Sequence, residues 1–313
     1  MRRKTFLISG GTNGIGFHTA FEIAKFKTTV IIIGKNPSKG QDRIDEIRKE
    51  TGNNDVHYIN GDLASQKEIK TIVQIIERKF SHIDVLINNA GIVYLKRFIS
   101  VDGIEKTFAV NHLAYFYLTG LLLPIVLESH KPRIINVASS VHKKANLNFN
   151  DIEMKEKYDG KLAYRQSKLC NILFSYHLAS KLKVKGINVN CVDPGFVNTG
   201  LGLNNRSLIM TFSLKLLKKF FEKKPNSLKL LKKFFEKKPK IIKKNYSQTM
   251  RVNAKEGAET SIYLATGNDL DEVTGQYYHK QKPLISSELT YDKNIQKKLW
   301  DLSERYTNFS YRL

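Results

Sequence analysis

Thr5-Phe6-Leu7-Ile8-Ser9-Gly10-Gly11-Thr12-Asn13-Gly14-Ile15-Gly16 is the stretch on which the fold turns. Its first half is a short apolar run that reads as a strand from Lys4 to Ser9. Its second half is a glycine cluster that leads into a helical pattern beginning near Phe17. Glycines at such a turn let the backbone bend tightly and approach a pyrophosphate, whose charge settles at the helix N-terminus. A glycine-rich strand-to-helix turn also occurs without a ligand, so the cluster by itself leaves both readings open.

The same alternation continues outward. Thr29 to Ile33, Val56 to Asn60, Ile83 to Ile87, Arg133 to Val137 and Ile187 to Val192 read as further strands, each followed by a helical pattern. Near-continuous apolar strands separated by helices imply a parallel sheet covered on both faces. The fold class is therefore α/β: a doubly wound, Rossmann-type parallel sheet in three αβα layers, with residues 1–313 forming one domain. Glu256 to Ala265 adds a helix, Gln276 to His279 a last strand, and Asn294 to Tyr306 a C-terminal helix able to bury Leu299, Trp300 and Leu302.

The apolar stretch around Leu118 to Leu127 is short and interrupted by Pro124, so no bilayer-spanning segment is expected. The N-terminal strand ends in glycines and not in a small-residue cleavage site, which argues against a secretory signal. Cys170 and Cys191 match no metal or redox spacing, and no metal site is expected. The expected location is cytoplasmic, with peripheral attachment to an intracellular membrane as the variant.

The chain carries a net charge of +23, and its excess is local. Between Ser213 and Lys244 there are 13 lysines against Glu222 and Glu236. Within that stretch Ser213–Pro225 is repeated residue for residue as Ser227–Pro239, a tandem duplication with a 14-residue period. Leu214, Leu217, Phe220 and Phe221 share one helical side and the lysines the other, so two short basic amphipathic helices separated by Pro225 are expected. Residues 201–244 read as a helical substrate lid. An anionic membrane surface reached through residues 213–239 is the alternative to that reading, with nucleic acid behind both.

Further motifs follow the glycine turn in order. Asn88-Asn89-Ala90-Gly91 follows the fourth strand, Asn111 lies in the next helix, Ser139 ends the fifth strand, Tyr164 and Lys168 stand four apart on a helix, and Pro194-Gly195 follows the sixth strand. With the Gly-x3-Gly-x-Gly spacing of Gly10, Gly14 and Gly16, this series resembles the classical short-chain dehydrogenases/reductases over residues 4 to 306. Val110-Asn111-His112-Leu113, Phe149-Asn150-Asp151-Ile152 and Lys297-Lys298-Leu299-Trp300 are similar to the retinol-dehydrogenase-like branch.

The chemistry can be read partly from the groups. Moving hydride to or from an alcohol carbon requires a proton to reach or leave its oxygen. A phenol of pKa near 10 serves as a base at neutral pH only if a cation lowers that value. Lys168, on the same helical face as Tyr164, is the candidate cation. The resemblance implies that Tyr164 is the general acid/base, that Ser139 rather than Ser140 polarises the substrate oxygen, and that Asn111 holds a water in the proton relay.

The resemblance also implies a cofactor cradle of Gly10, Asn13, Gly14, Ile15, Gly16, Asn89, Ala90, Gly91, Tyr164, Lys168, Pro194 and Gly195. Asp62 and Leu63 would lie at the adenine, and Val197 and Thr199 at the nicotinamide. The second strand ends in Gly34-Lys35-Asn36 with no acid, which favours NADP(H) over NAD(H). The expected substrate is a small apolar alcohol, aldehyde or ketone of retinoid, steroid or other lipid type, turned over by a monomer or homodimer. The competing reading is a non-catalytic NADP(H)-binding protein docked through its basic helices on a membrane or an acidic partner.

Overall fold

The computed structural model describes residues 3–195 and 253–313. The expected lid at 201–244, its duplicated helices, and Val197 and Thr199 lie outside the described residues.

Strand β1 (Thr5–Ser9) is buried along its whole length, because its alternate side chains enter two different cores. Leu7 joins Ile31, Ile33, Leu86 and Ile134 on one face of the sheet, whereas Phe6 and Ile8 join Val30, Ile32, Val85 and Ile87 on the other. A strand with two apolar faces cannot lie at a wetted surface, so helices cover both sides.

The sheet has eight strands in the order β3-β2-β1-β4-β5-β6-β7-β8. These are β2 (Thr29–Gly34), β3 (Val56–Asn60), β4 (Val85–Asn88), β5 (Arg133–Val137), β6 (Asn188–Asp193), β7 (Tyr277–His279) and β8 (Lys282–Pro283). All pairings are parallel except β7 with β8. Helices α1 (Gly14–Ala24), α2 (Pro37–Thr51) and α6 (Ala254–Thr266) cover one face. Helices α3 (Gln66–Lys79), α4 (Lys106–Leu127), α5 (Gly160–Leu182) and α7 (Lys293–Thr307) cover the other.

Several boundaries differ from the sequence reading for identifiable reasons. The fourth strand starts at Val85 instead of Ile83 because the Asp84 carboxylate accepts the Thr5 N–H at 2.7 Å. The sixth starts at Asn188 because the Ile187 N–H turns back to the Leu182 carbonyl closing α5. Helix α1 begins at Gly14, three residues before the expected start, since a first helical turn needs no intrahelical donor bonds.

The largest correction concerns α4. Lys106 to Leu127 forms one 22-residue helix that is long and apolar enough to cross a membrane, and Pro124 does not interrupt it. Its most apolar window is 83% buried inside the protein, which is how the central helix of a sandwiched sheet behaves. Proline removes one backbone bond, but packing on both sides of Pro124 by buried Leu122, Leu123, Ile125 and Val126 holds the turn. Helix α7 does bury Leu299, Trp300 and Leu302.

Candidate active site

Strand order reverses at β1, which has β2 on one side and β4 on the other. In an open parallel sheet that reversal opens a crevice beyond the carboxyl ends of the strands, where the connecting chains diverge. A cleft of about 330 Å³ lies there.

Its floor is the glycine turn. Gly10 has φ +67° and Gly14 φ +52°, conformations that favour glycine. A Cβ on Gly10 would stand 2.8 Å from Ala90 Cα, and one on Gly16 would overlap the Asn89 amide and the Gly10 carbonyl. The turn is therefore packed directly onto the end of β4. Asn89 Nδ2 donates to the Ser9 carbonyl at 2.9 Å, and Ser9 Oγ accepts the N–H groups of Asn89 and Ala90 at 2.9 and 3.1 Å. Asn13, at the head of α1, makes no side-chain cap, so the helix N-terminus opens toward the cleft without a side-chain acceptor.

The structure brings most of the expected residues to this cleft. Gly10, Asn13, Gly14, Ile15, Gly16, Lys35, Asp62, Leu63, Asn89, Ala90, Gly91, Ser139, Tyr164, Lys168, Pro194 and Gly195 all line it. Ser140 does not, so the geometry separates the two adjacent serines. Asp62 lines the cleft while its Oδ1 also accepts the Ala64 N–H at 2.9 Å. The cleft takes a dinucleotide readily at this end. It offers a glycine floor without Cβ atoms, a free helix N-terminus, and the exposed Lys35 where β2 carries no carboxylate.

Two expected residues are placed differently. Asn36 does not line the cleft; its Oδ1 accepts the Lys39 N–H at 2.9 Å and caps α2. Asn111 is fully buried in a π-helical turn, Ala109–Leu113, within α4. Its Oδ1 accepts the Ile92 N–H at 2.8 Å, and its Nδ2 donates to the Ile92 carbonyl and to Ser167 Oγ, each at 3.0 Å. Both amide hydrogens are bonded to protein, so the side chain anchors the backbone just past Gly91. An idealised Gly91 Cβ would lie 3.7 Å from both Asn111 Oδ1 and Lys168 Nζ, so the anchor sits beside the lysine.

Tyr164 and Lys168 form the far wall on α5, whose first turn is capped by Asp159. Lys168 Nζ donates to the Val137 carbonyl at 2.8 Å and lies 5.7 Å from the centre of the Tyr164 ring. Burial pushes the Tyr164 phenol up to about 12, with the Asp193 charge as a second cause, and pushes Lys168 down to about 7 against the opposing pull of Asp193. The expected direction for Tyr164 is thereby corrected. In this dry wall, desolvation of both groups outweighs any help the lysine gives the phenolate.

Two residues near the wall carried no recognisable motif. Asp193 ends β6, is 2% exposed, and its Oδ1 accepts the Gly195 N–H at 3.0 Å. Its place just before Pro194-Gly195 was the one available hint. His142, two residues after Ser140, is buried. Its Nδ1–H donates to the Ser139 carbonyl at 2.7 Å, and its Nε2 accepts the Ser287 N–H at 3.1 Å, which fixes the neutral tautomer and ties the Ser139 turn to the C-terminal segment. No cluster of three metal-ligating side chains occurs among the described residues. Cys170 and Cys191 are free and buried.

The comparisons with known proteins agree with this geometry. Residues 4–207 match the family model described as short chain dehydrogenase. Over 306 residues the chain is 36% identical to polyprenol dehydrogenase of Homo sapiens, covering 96% of this chain and 84% of that one. It is 32% identical over 320 residues to retinol dehydrogenase 14 of Homo sapiens, covering 97% and 86%. Among solved structures, an uncharacterized protein of Mycobacterium paratuberculosis superposes with a TM-score of 0.73 at 25% identity, over 99% of this chain and 95% of that one. A short chain dehydrogenase of Escherichia coli CFT073 complexed with NADPH gives 0.61 at 21% identity, over 90% and 98%, a likeness of fold. On its matched residues and the cleft they build, the chain belongs to the short chain dehydrogenase family of oxidoreductases, in its retinol-dehydrogenase-like branch.

Proposed function

We propose that this oxidoreductase moves hydride between NADP(H) and an apolar, lipid-like alcohol or carbonyl compound, with Tyr164 as the general acid/base. The observation that carries the reading is the wall itself: a phenol and an amine, both desolvated, stand in one cleft with Ser139 and a glycine floor. The nicotinamide, when bound, supplies the hydride donor or acceptor. The chain supplies the rest. Tyr164 holds its proton across the neutral range and is therefore set to deliver it to a carbonyl oxygen during reduction. Among the described residues Ser139 Oγ accepts a long 3.5 Å contact from the Val141 N–H and donates to none, which leaves its hydroxyl hydrogen to polarise that oxygen. Lys168, near half-protonation at pH 7, stabilises a developing phenolate and passes a proton back to it.

Asn111, whose side chain fixes the backbone at Ile92 beside Lys168, holds the relay water in this reading. Lys35 supports NADP(H): it is an exposed cation on the cleft rim where a carboxylate would otherwise select NAD(H). The relatives named for polyprenol and retinol support a lipid-borne alcohol or aldehyde as substrate. Peripheral attachment to a membrane in the cytoplasm fits such a substrate.

The test is a panel of prenyl aldehydes, retinal and steroid ketones, each followed by NADPH oxidation and by product identification. Turnover of at least one lipid carbonyl, faster with NADPH than with NADH, is expected. NADPH oxidation that fails with every member, in both directions of reaction, would overturn the reading.

A further inference from the structure

Large apolar side chains are rarely left in water without cause when they gather in one patch. Among the described residues, Leu95, Phe98, Ile99 and Val101 are exposed within seven positions of one loop, and Leu162 is exposed at the start of α5 beside it. The Phe98 and Val101 side chains are 47% and 83% exposed.

This loop is not loose. Lys106 N–H donates to the Phe98 carbonyl at 2.9 Å, and Ser100 N–H to the Ile104 carbonyl at 2.7 Å. Arg97 Nε donates to the Glu153 carbonyl at 3.2 Å, and the Tyr158 hydroxyl lies 3.1 Å from the Tyr94 carbonyl. Gly160 packs so closely under Tyr94 and Leu95 that a side chain there would strike their backbone, which locks the loop to the head of the helix that carries Tyr164. A rigid scaffold thus presents an apolar outer face.

The patch is continuous with the cleft. Tyr94 lines the cleft, and its ring meets that of Phe98 at 4.8 Å. Among the described residues the cleft itself is small. Pockets that enclose a drug-sized molecule run to roughly 300–1,000 Å³, and about 330 Å³ here has to receive a dinucleotide as well as the reacting carbon. A long hydrocarbon chain attached to that carbon has to leave the cleft.

We infer that the Tyr94–Leu95–Phe98–Ile99–Leu162 lip is a chain-length-reading subsite that holds the tail of a linear isoprenoid alcohol or aldehyde as it leaves the cleft. The inference rests on the lipid-carbonyl reading of the active site and adds to it the residues that read the length of the substrate's tail. The lip works by removing apolar tail surface from water, so its contribution grows with each isoprene unit that reaches it and vanishes for substrates that end inside the cleft.

The experiment uses the full-length protein with NADPH and a series of linear prenyl aldehydes of one to four isoprene units, kept below their aggregation concentrations. For the wild type, kcat/KM is expected to rise with length. For Phe98→Ser/Ile99→Ser the loss is expected to be under twofold at one unit and at least tenfold at four units, carried mainly by KM. Leu162→Ser, on a different element, should flatten the same slope, and Phe98→Leu should restore most of it. Val101→Ser, in the turn beyond Ile99 and outside the lip, should leave the slope as in the wild type. Matching thermal unfolding midpoints check that each variant folds. An equal loss at every chain length, or a slope that survives both the Phe98→Ser/Ile99→Ser and the Leu162→Ser variants, would overturn the inference. Failure of the wild type to reduce any member of the series would instead sink the proposed function.

Discussion

The two sides of the cleft are built on opposite principles. The glycine turn from Ser9 to Gly16 works by absence, since it has no side chains at its tightest points and no charge, and its Ser9 and Gly10 carbonyls accept from the Asn89 side-chain amide. The wall of Tyr164 and Lys168 works by presence, with two titratable groups taken out of water and held beside the buried carboxylate of Asp193. The first should govern how tightly a dinucleotide is held, and the second how fast anything reacts. Space and reactivity are separated along one crevice, so substitutions on the two sides should differ in the kinetic constant they change.

Ser139→Ala gives the largest of the effects that sharpen this contrast. Removing the polarising hydroxyl should lower kcat by about 100- to 1,000-fold while leaving the NADPH dissociation constant as in the wild type, measured by quenching of protein fluorescence. A loss confined to NADPH binding would break the division of labour. On the opposite side, Gly16→Ala forces a methyl group into the Asn89 amide and the Gly10 carbonyl. Overpacking of this kind should destabilise the protein by about 1–3 kcal/mol, read from urea unfolding, and raise the NADPH dissociation constant with kcat at saturation preserved.

Lys35→Glu is a smaller test of the floor. Reversing the charge at the end of β2 should weaken NADPH by about tenfold, or about 1.4 kcal/mol, and leave NADH nearly unaffected. Equal effects on both cofactors would remove Lys35 from cofactor choice.

The smallest expected effect is on stability and separates the two sides by pH. Lys168 titrates at about 7 when folded and near its ordinary 10.5 when unfolded, so between those values the unfolded chain binds more protons. Stability of the wild type therefore gains from this group as pH rises from about 7 toward 10.5. Lys168→Met removes that dependence. It should raise the melting temperature by a few degrees at pH 6, with a gain that shrinks by pH 10, even as turnover is lost. Asp193→Asn should move the onset of this dependence below pH 7, because the carboxylate holds the lysine's value up. The corresponding scans of Gly16→Ala should show no such pH-dependent offset.

What was legible beforehand follows the same division. The glycine turn, the alternation of apolar strands and helices and the spacing of Tyr164 and Lys168 are local patterns, and local patterns survive in a sequence read alone. Pro124 was misread because propensity speaks for an isolated helix, whereas α4 is held by the layers on both sides of it. Asn111 was placed in the right neighbourhood but with its amide facing Ile92 and Ser167, a partnership between residues 19 and 56 positions apart that no spacing rule exposes. Asp193 and His142 act through contacts with Gly195, Ser139 and Ser287, and the last of these bonds spans 145 positions. The direction of the Tyr164 shift was missed for a related reason: helical spacing shows that a lysine is near, but burial, which decides the sign, belongs to the assembled wall.

The central claim is that Tyr164 delivers the proton while the glycine floor holds the cofactor, and single-turnover reduction of a prenyl aldehyde by Tyr164→Phe, with NADPH saturating, tests it most directly. The account predicts that the rate of NADPH oxidation falls by roughly 100- to 10,000-fold with NADPH affinity unchanged. A Tyr164→Phe protein that reduces the aldehyde at the wild-type rate would contradict it.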